Sequence, residues 1–109
     1  MSKRLFIFAA GICFVGPAHV NAQSFDCRTN TGAAEQTICA NDDLRDSDNE
    51  MARLYFSIAN DSTGRYYKRL RNGQREWLQD RDDCGANARC LRRLYNDRIE
   101  EFREILGGE

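Results

Sequence analysis

After about residue 31, the hydrophobic and polar positions of the chain follow the period of amphipathic helices. Apolar residues recur at i, i+3, i+4 and i+7, the spacing that places them on one side of a helix. This pattern predicts a short helix over about 32–40 and three longer helices over about 42–60, 65–82 and 88–106. No stretch alternates with the period of a strand. The sequence therefore predicts an all-α domain, a small bundle of three to four helices.

One side of each long helix is expected to face a common core. The stripe on the last helix is the most regular of the three. Turn-forming residues separate the helices, since Asn60 to Gly64 follow the first, Cys84 to Asn87 follow the second and Gly107-Gly108 end the third. The residues predicted to face the core are Leu44, Met51, Leu54, Tyr55, Ile58, Tyr67, Leu70, Gln74, Trp77, Leu78, Arg81, Leu91, Leu94, Tyr95, Ile99, Phe102 and Leu106.

The charges of the last two predicted helices indicate how these helices pack. Each begins with basic residues and ends with acidic ones, an order that opposes the helix dipole when the helix is considered alone. In an antiparallel hairpin across the turn between Cys84 and Cys90, the basic end of each helix meets the acidic end of the other. We therefore predict such a hairpin, with ion pairs that set orientation, because exposed pairs contribute at most about 1 kcal/mol each. The charged residues concerned are Arg65, Lys68, Arg69, Arg71, Asp80, Asp82, Asp83, Arg89, Arg92, Arg93, Glu100, Glu101 and Glu104.

Residues 1–22 have the organisation of a cleavable signal peptide. Two basic residues precede an uncharged apolar run over 5–15, and Val20 and Ala22 occupy the −3 and −1 positions of a small-residue cleavage site. The run is about half of the roughly 20 residues that a transmembrane helix needs, which disfavours a retained anchor. No cysteine stands where lipid attachment requires one. We predict cleavage after Ala22 and a mature domain, 23–109, that is periplasmic or secreted and does not associate with the membrane.

Removal of the leader limits the chemistry of the mature chain. The one histidine, His19, leaves with it, as do Cys13 and two of the 16 basic residues, so 14 Lys and Arg remain against 17 Asp and Glu. Without histidine there is no Ser-His-Asp triad and no common zinc site. The net negative charge disfavours nucleic acid as a partner. We expect no cofactor, no metal and no catalytic residue, and therefore a binding protein rather than an enzyme.

Four cysteines remain in the mature chain: Cys27, Cys39, Cys84 and Cys90. An even number of cysteines in a short exported chain indicates two disulfides. A zinc site of four thiolates is the alternative, but the chain contains no C-x-x-C pair. Proximity along the chain pairs Cys27 with Cys39 and Cys84 with Cys90, although crossed pairings would close longer loops and so stabilise more in the chain-entropy account. A non-reducing peptide map tests this pairing.

A series of short motifs runs through nearly the whole mature chain. The most specific is Gln74-Arg75-Glu76-Trp77-Leu78 with Arg81-Asp82 and Cys84, followed by Cys90-Leu91 with Tyr95, Arg98 and Ile99. Looser elements are Ser24-Phe25-Asp26-Cys27, Glu35-Gln36-Thr37-Ile38-Cys39, and Leu44 with Asp48 and Leu54-Tyr55. Together these residues resemble the LprI-like lysozyme inhibitor family. Ser47 departs from the leucine that the family tends to have before the aspartate.

The resemblance implies a small exported helical protein whose partner is lysozyme or another cell-wall hydrolase. Lysozyme acts with two carboxylates in an open cleft. We expect an arginine of this chain to be inserted against those acids, while acidic residues of the 42–60 helix meet basic residues around the cleft. The acidic residues concerned are Asp42, Asp43, Asp46, Asp48 and Glu50.

Each motif residue has a structural interpretation beside a partner-binding one. Trp77 is expected to be a core anchor, because large aromatics dominate small cores. The planar fork of arginine suits a partly buried carboxylate such as Asp48 or Asp82, so inter-helix hydrogen bonds are the first expectation for the polar motif residues. Contact with a partner is the alternative. The residues to which this applies are Asp48, Gln74, Arg75, Trp77, Arg81 and Asp82.

A second function is compatible with the same sequence. An envelope interaction module, such as a chaperone-like subunit or an immunity protein for a toxin, needs the same leader and the same stapled fold. Affinity capture from the native envelope separates the two, since such a module would recover a host protein instead of binding added lysozyme.

Overall fold

The computed structural model describes residues 24–29 and 32–107, and the predicted signal peptide lies outside them. The described residues form four helices and no strand. We number the helices α1 (Ala33–Ala40), α2 (Asp42–Asn60), α3 (Gly64–Asp83) and α4 (Ala88–Gly107). Each begins and ends within one residue of its predicted bounds, so the all-α prediction is confirmed. None of the four helices combines the length and the apolar character that crossing a membrane requires.

The hydrophobic core lies mainly between α2 and α4, the two helices that pack most extensively, and α1 contacts all three longer helices. Fully burying a large apolar side chain stabilises by roughly 1.5–3 kcal/mol. Most of the predicted core residues are buried or half-buried, but Leu106, in the last turn of α4, is 44% exposed. The buried apolar residues are Ala34, Ile38, Leu44, Met51, Ala52, Ile58, Leu70, Trp77, Leu91, Tyr95, Ile99 and Phe102.

The predicted antiparallel hairpin is formed by α3 and α4. Gln74 contacts Arg98, and Trp77 contacts Tyr95, so positions along α4 fall as positions along α3 rise. The Trp77 and Tyr95 rings meet edge to face with centroids 5.0 Å apart. Long side chains therefore fill the space between the two helices.

The ion pairs of α4 differ from the prediction. Among the described residues none joins α3 to α4, and two arginines of α4 pair with acids of α2 instead. Arg92 contacts Asp43 at 2.7 Å, and Arg103 contacts Glu50 at 3.1 Å. The prediction of charge pairing within the hairpin is wrong because α4 packs most closely on α2, to which it runs parallel.

Both predicted disulfides are present. Cys27 is bonded to Cys39 and Cys84 to Cys90, with Cα atoms 5.8 Å and 5.7 Å apart respectively. Both separations fall in the usual range for disulfides. The first bond fastens the segment before α1 to the end of α1, and the second closes the turn between α3 and α4.

Two helix junctions differ from simple side-chain capping. Asn41 precedes α2, but its side-chain amide donates to the carbonyl of Thr37 at 2.8 Å, so it closes α1 and does not cap α2. The run Asn41-Asp42-Asp43 predicts the opposite role, a capping side chain and first-turn acids for α2, because the first N–H groups of a helix favour such residues. After α3, Gly85 has φ of 58°, a left-handed conformation that ends many helices and that glycine adopts without steric cost.

Candidate functional site

The Asp48 carboxylate lies at the centre of a buried polar cluster. It has no exposed surface. Oδ2 accepts a hydrogen bond from the backbone N–H of Ser24 at 2.8 Å, while Oδ1 accepts from the Ser24 hydroxyl at 2.8 Å and from the Tyr95 hydroxyl at 2.7 Å. The nearest guanidinium nitrogen of Arg81 is 3.8 Å from Oδ1. Buried carboxylates require such partners, and this one has four contacts. We call Ser24, Glu35, Asp48, Arg81 and Tyr95 the Asp48 cluster.

Arg81 joins this cluster to α1 and to the segment before it. Its side chain is 3% exposed. One guanidinium nitrogen donates to the Ser24 hydroxyl at 3.0 Å, and another donates to Glu35 at 3.3 Å and to Asp82 at 2.9 Å. The guanidinium also lies 5.1 Å from the centre of the Phe25 ring. Arg81 therefore connects α3 to the N-terminal segment, to α1 and, through Asp48, to α2.

Electrostatics keep two members of the cluster, Tyr95 and Arg81, in their ordinary neutral and charged forms respectively. Burial raises the pKa of Tyr95 far above its ordinary value of 10.0, and the neighbouring Asp48 acts in the same sense. Burial disfavours the charged form of Arg81, but Tyr95 and Asp82 outweigh it and raise the pKa of the guanidinium. A neutral tyrosine and a permanently charged arginine hold a structure together, and neither is poised for proton transfer near neutral pH.

Gln74 and Trp77 are also enclosed within the bundle. Gln74 is 8% exposed; its amide nitrogen donates to the sulfur of Met51, and its oxygen accepts two hydrogen bonds from Arg98 at 3.2 Å and 2.9 Å. Trp77 is 8% exposed and packs on Tyr95. These two motif residues, with Asp48, Arg81 and Asp82, make contacts inside the protein.

Arg75 is exposed, as is Asp82, but unlike Asp82 it forms no ion pair among the described residues. Arg75 lies beside a surface groove of about 340 Å³ between α2 and α3, which we call the α2–α3 groove. Arg75 donates to Asn72 of the same helix at 3.3 Å, and Arg71 stacks over Tyr67 with its guanidinium carbon 5.6 Å from the ring centre. Neither arginine forms an ion pair within the described residues. The groove is lined by Ser24, Ala52, Tyr55, Phe56, Arg71, Gln74, Arg75 and Leu78.

Two aromatic rings give the α2–α3 groove apolar surface. Phe56 is 55% exposed, and its ring meets that of Tyr55 edge to face with centroids 5.3 Å apart. Burial raises the pKa of Tyr55, and the charges of Arg71, Arg98 and Arg75 act in the opposite sense. The positive charges of Arg71 and Arg75 therefore act to lower the pKa of the Tyr55 hydroxyl.

The acidic stretch at the start of α2 is largely neutralised. Asp48 is buried, and three of the other acids form ion pairs with arginines. Asp42 contacts Arg45 at 2.8 Å, and Glu50 contacts both Arg53 and Arg103. Within the described residues, Asp46 is therefore the exposed acid of this stretch that has no ion pair.

Free carboxylates gather elsewhere, along a second groove of about 410 Å³ between α3 and α4. Glu76, Asp80 and Asp97 line it without an ion pair among the described residues, and Glu101 lines it while paired with Arg98. The described residues contain no group of three or more side chains placed to hold a metal ion. This groove therefore presents negative charge at the surface, and its described carboxylates are not arranged to hold a metal ion.

Sequence reasoning missed the partners that complete the Asp48 cluster. Ser24, Glu35 and Tyr95 were noted as motif residues, but none was predicted to bind Asp48 or Arg81. One signal was available: Asp48 follows Leu44 by four positions and precedes Met51 by three, which places a carboxylate on the apolar face of α2. A charge on that face needs buried donors.

The fold and the cluster define a class of protein: a small all-α domain with two disulfides whose helices converge on a buried ion pair. Residues 27–102 match the model of the family described as lysozyme inhibitor LprI. The match covers more than half of the chain, and the chain belongs to the LprI lysozyme inhibitor family. No curated protein and no solved structure matches the chain significantly. Membership in a family of inhibitors implies a protein partner and a location outside the cytoplasm.

Proposed function

We propose that the protein is exported, that its leader is cleaved after Ala22, and that the mature chain 23–109 binds and inhibits lysozyme or a related cell-wall hydrolase in the periplasm or outside the cell. The observation that carries this proposal is the family match over residues 27–102. The Asp48 cluster supports a binding role, because its side chains are used for hydrogen bonds that join the N-terminal segment and all four helices. The protein acts as a binder and not as a catalyst.

The two disulfides support export. Disulfides persist in the periplasm and outside cells, and thiols stay reduced in most cytoplasms. Intact-mass analysis of the protein recovered from an expressing cell tests this part of the proposal. We expect a chain that begins at Gln23 and lacks four hydrogens relative to its reduced form. An uncut N-terminus or four free thiols would contradict export.

The inhibitory activity is tested with purified mature protein in a bacterial lysis assay. Oxidised and reduced protein are compared side by side at micromolar concentration, against an animal-type lysozyme and a bacterial hydrolase. We expect the oxidised protein to slow lysis and the reduced protein to be weaker, because reduction releases the segment that holds Ser24 against Asp48. We also expect inhibition to weaken as salt rises, since attraction between exposed charges is screened. Unchanged lysis by both enzymes would remove the proposal.

A further inference from the structure

The arginines of the chain divide into those that are used inside the protein and those that are free. Arg81 is surrounded by Glu35, Asp48 and Asp82, and its side chain is only 3% exposed, so a partner cannot reach its guanidinium group. Arg92 and Arg103 pair with acids of α2. Arg71 and Arg75 are exposed without an ion pair in the described part of the chain, as are Arg65, Arg69, Arg89 and Arg93. A contact between an arginine and carboxylates of a partner therefore has to come from residues of this second kind.

Arg71 and Arg75 also occupy a particular place on α3. They are four positions apart, and side chains at this spacing project from the same side of a helix with Cβ atoms about 6 Å apart. The two catalytic carboxyl groups of a glycosidase lie roughly 5–9.5 Å apart. Two arginines with this Cβ separation are close enough for their long side chains to reach both carboxyl groups of such a pair, and each can bind a carboxylate through two parallel hydrogen bonds.

The α2–α3 groove differs in charge from three other grooves formed by the described residues. No carboxylate lines it. The three other grooves are each lined by at least two acidic residues, among them Glu101 and Glu104 in the groove beside Tyr66. Each of those grooves is also lined by at least one arginine, so a carboxylate entering it would meet both acidic and basic side chains. In the α2–α3 groove it would meet two arginines without an ion pair and no acidic side chain.

The groove also has the composition of a protein-binding hot spot. Aromatic residues and arginine carry much of the affinity at protein interfaces, where they lie in desolvated, well-packed positions. Phe56, with 55% of its surface exposed beside Tyr55, is a large apolar side chain without full cover. Its burial against a partner would add apolar contact beside the two charged groups.

From these observations we propose that the α2–α3 groove is the inhibitory face, on which Arg71 and Arg75 bind the cleft carboxylates of a cell-wall hydrolase while Phe56 packs against the edge of that cleft. This assignment rests on the proposed function and goes beyond it by naming the surface. It also excludes Arg81, the buried arginine of the most specific sequence motif, from direct contact with the enzyme.

The test compares two double charge reversals of equal size. In Arg71→Glu with Arg75→Glu, the groove loses its positive charge. In Arg89→Glu with Arg93→Glu, the same charge is reversed on exposed arginines of α4 that form no ion pair among the described residues and do not line the groove. Far-ultraviolet circular dichroism and Trp77 fluorescence are expected to match the wild type in both, because none of the four side chains is buried.

We expect the groove reversal to raise the concentration for half-inhibition by at least about 30-fold, the lower end of the effect of losing a buried charged contact. The α4 reversal should change it less than about threefold, as is usual for charges at the edge of an interface. Two milder variants accompany them. Arg75→Lys keeps the charge but not the planar fork, and Phe56→Ala removes the ring; each should weaken inhibition about tenfold.

A second arm tests the contact with carboxylates directly. Binding is measured to a lysozyme and to its variant with both cleft carboxylates changed to amides. Wild-type protein should bind the amide variant at least about tenfold more weakly, and the groove reversal should lose this preference. Equal binding of both enzymes by the wild type would overturn the proposal.

The remaining outcomes show whether the proposed surface or the proposed function is wrong. Inhibition by the wild type with an unaffected groove reversal would overturn the proposed surface and leave the proposed function standing. Equal loss in the two charge reversals would also overturn the surface, because net charge alone would then explain the effect. A wild-type protein that neither binds nor inhibits would overturn both.

Discussion

Replacing Asp48 by asparagine is the most direct test of what holds the fold together. The change keeps the size of the side chain and removes its charge from a site with no exposed surface. Oδ2 faces the backbone N–H of Ser24, which can only donate, so the amide oxygen has to stay there. The amide nitrogen then faces the hydroxyls of Ser24 and Tyr95, which can turn to accept. Most hydrogen bonds survive, but the negative charge beside Arg81 is lost.

The cost follows from that lost charge. Removing one partner of a buried ion pair destabilises a protein by about 3–5 kcal/mol. Arg81 keeps Glu35 at 3.3 Å and Asp82 at 2.9 Å. We therefore expect the lower end of that range for Asp48→Asn, about 3 kcal/mol. For a domain of this size, such a loss lowers the melting temperature by roughly 12–24 °C.

The assay is thermal and urea unfolding of the oxidised protein, followed by the fluorescence of Trp77, the one tryptophan of the chain. Asp46→Asn is the matched control, because Asp46 is exposed on the same helix and forms no ion pair among the described residues. The control should change the free energy of unfolding by less than about 0.5 kcal/mol. If Asp48→Asn costs less than about 1 kcal/mol, or no more than the control, the buried ion pair is not a main source of stability and the reasoning fails.

Three further changes test other parts of the structure. Cys27→Ser with Cys39→Ser should lower the free energy of unfolding by roughly 2–3 kcal/mol in urea titrations, and an unchanged midpoint would show that this bond does not hold the N-terminal segment. Gly85→Ala should lower the free energy of unfolding by about 1–2 kcal/mol, because Gly85 has φ of 58°, whereas Gly73→Ala in the interior of α3 should raise it by up to about 1 kcal/mol. If calorimetry finds the same sign for both, backbone conformation does not explain the effect of these glycines. Burial raises the pKa of Tyr95 above 10.0, so above this pH the Tyr95 hydroxyl keeps its proton in the folded protein but loses it in the unfolded chain. The free energy of unfolding should therefore be constant below pH 10 with respect to this group and should fall as the pH rises further. The stability advantage of the wild type over Tyr95→Phe should shrink by about 1.4 kcal/mol per pH unit above that value in urea titrations, and a constant difference would contradict the assigned shift.

Much of the architecture could be predicted from local features of the sequence. The period of apolar residues located all four helices, and the turn residues between them set the bounds to within one residue. Short loops made the pairing of Cys27 with Cys39 and of Cys84 with Cys90 the simplest choice. These inferences succeed because helix formation, turns and short-loop closure depend on residues close together in the chain.

The candidate sites were less predictable. Arg75 and Arg81 stand six positions apart in one motif, yet the first is exposed beside a groove and the second is enclosed by acids. The spacing of apolar residues along α3 indicated which of its residues face inward, but it did not indicate that Glu35 and Ser24 would contact Arg81. The role predicted for Asn41 also failed, because the end of α1 lay close enough to take its side chain.

By itself, the sequence determined the helices, the two disulfides and the family, since each follows from residue type and short-range spacing. Tertiary structure alone decided which charges are neutralised and which stay free. Asp48 accepts hydrogen bonds from Ser24 and Tyr95, 24 and 47 positions away, and Arg81 reaches Ser24 across 57. Such partners meet only when helices pack, and a buried charge is stable only where that packing supplies donors or an opposite charge.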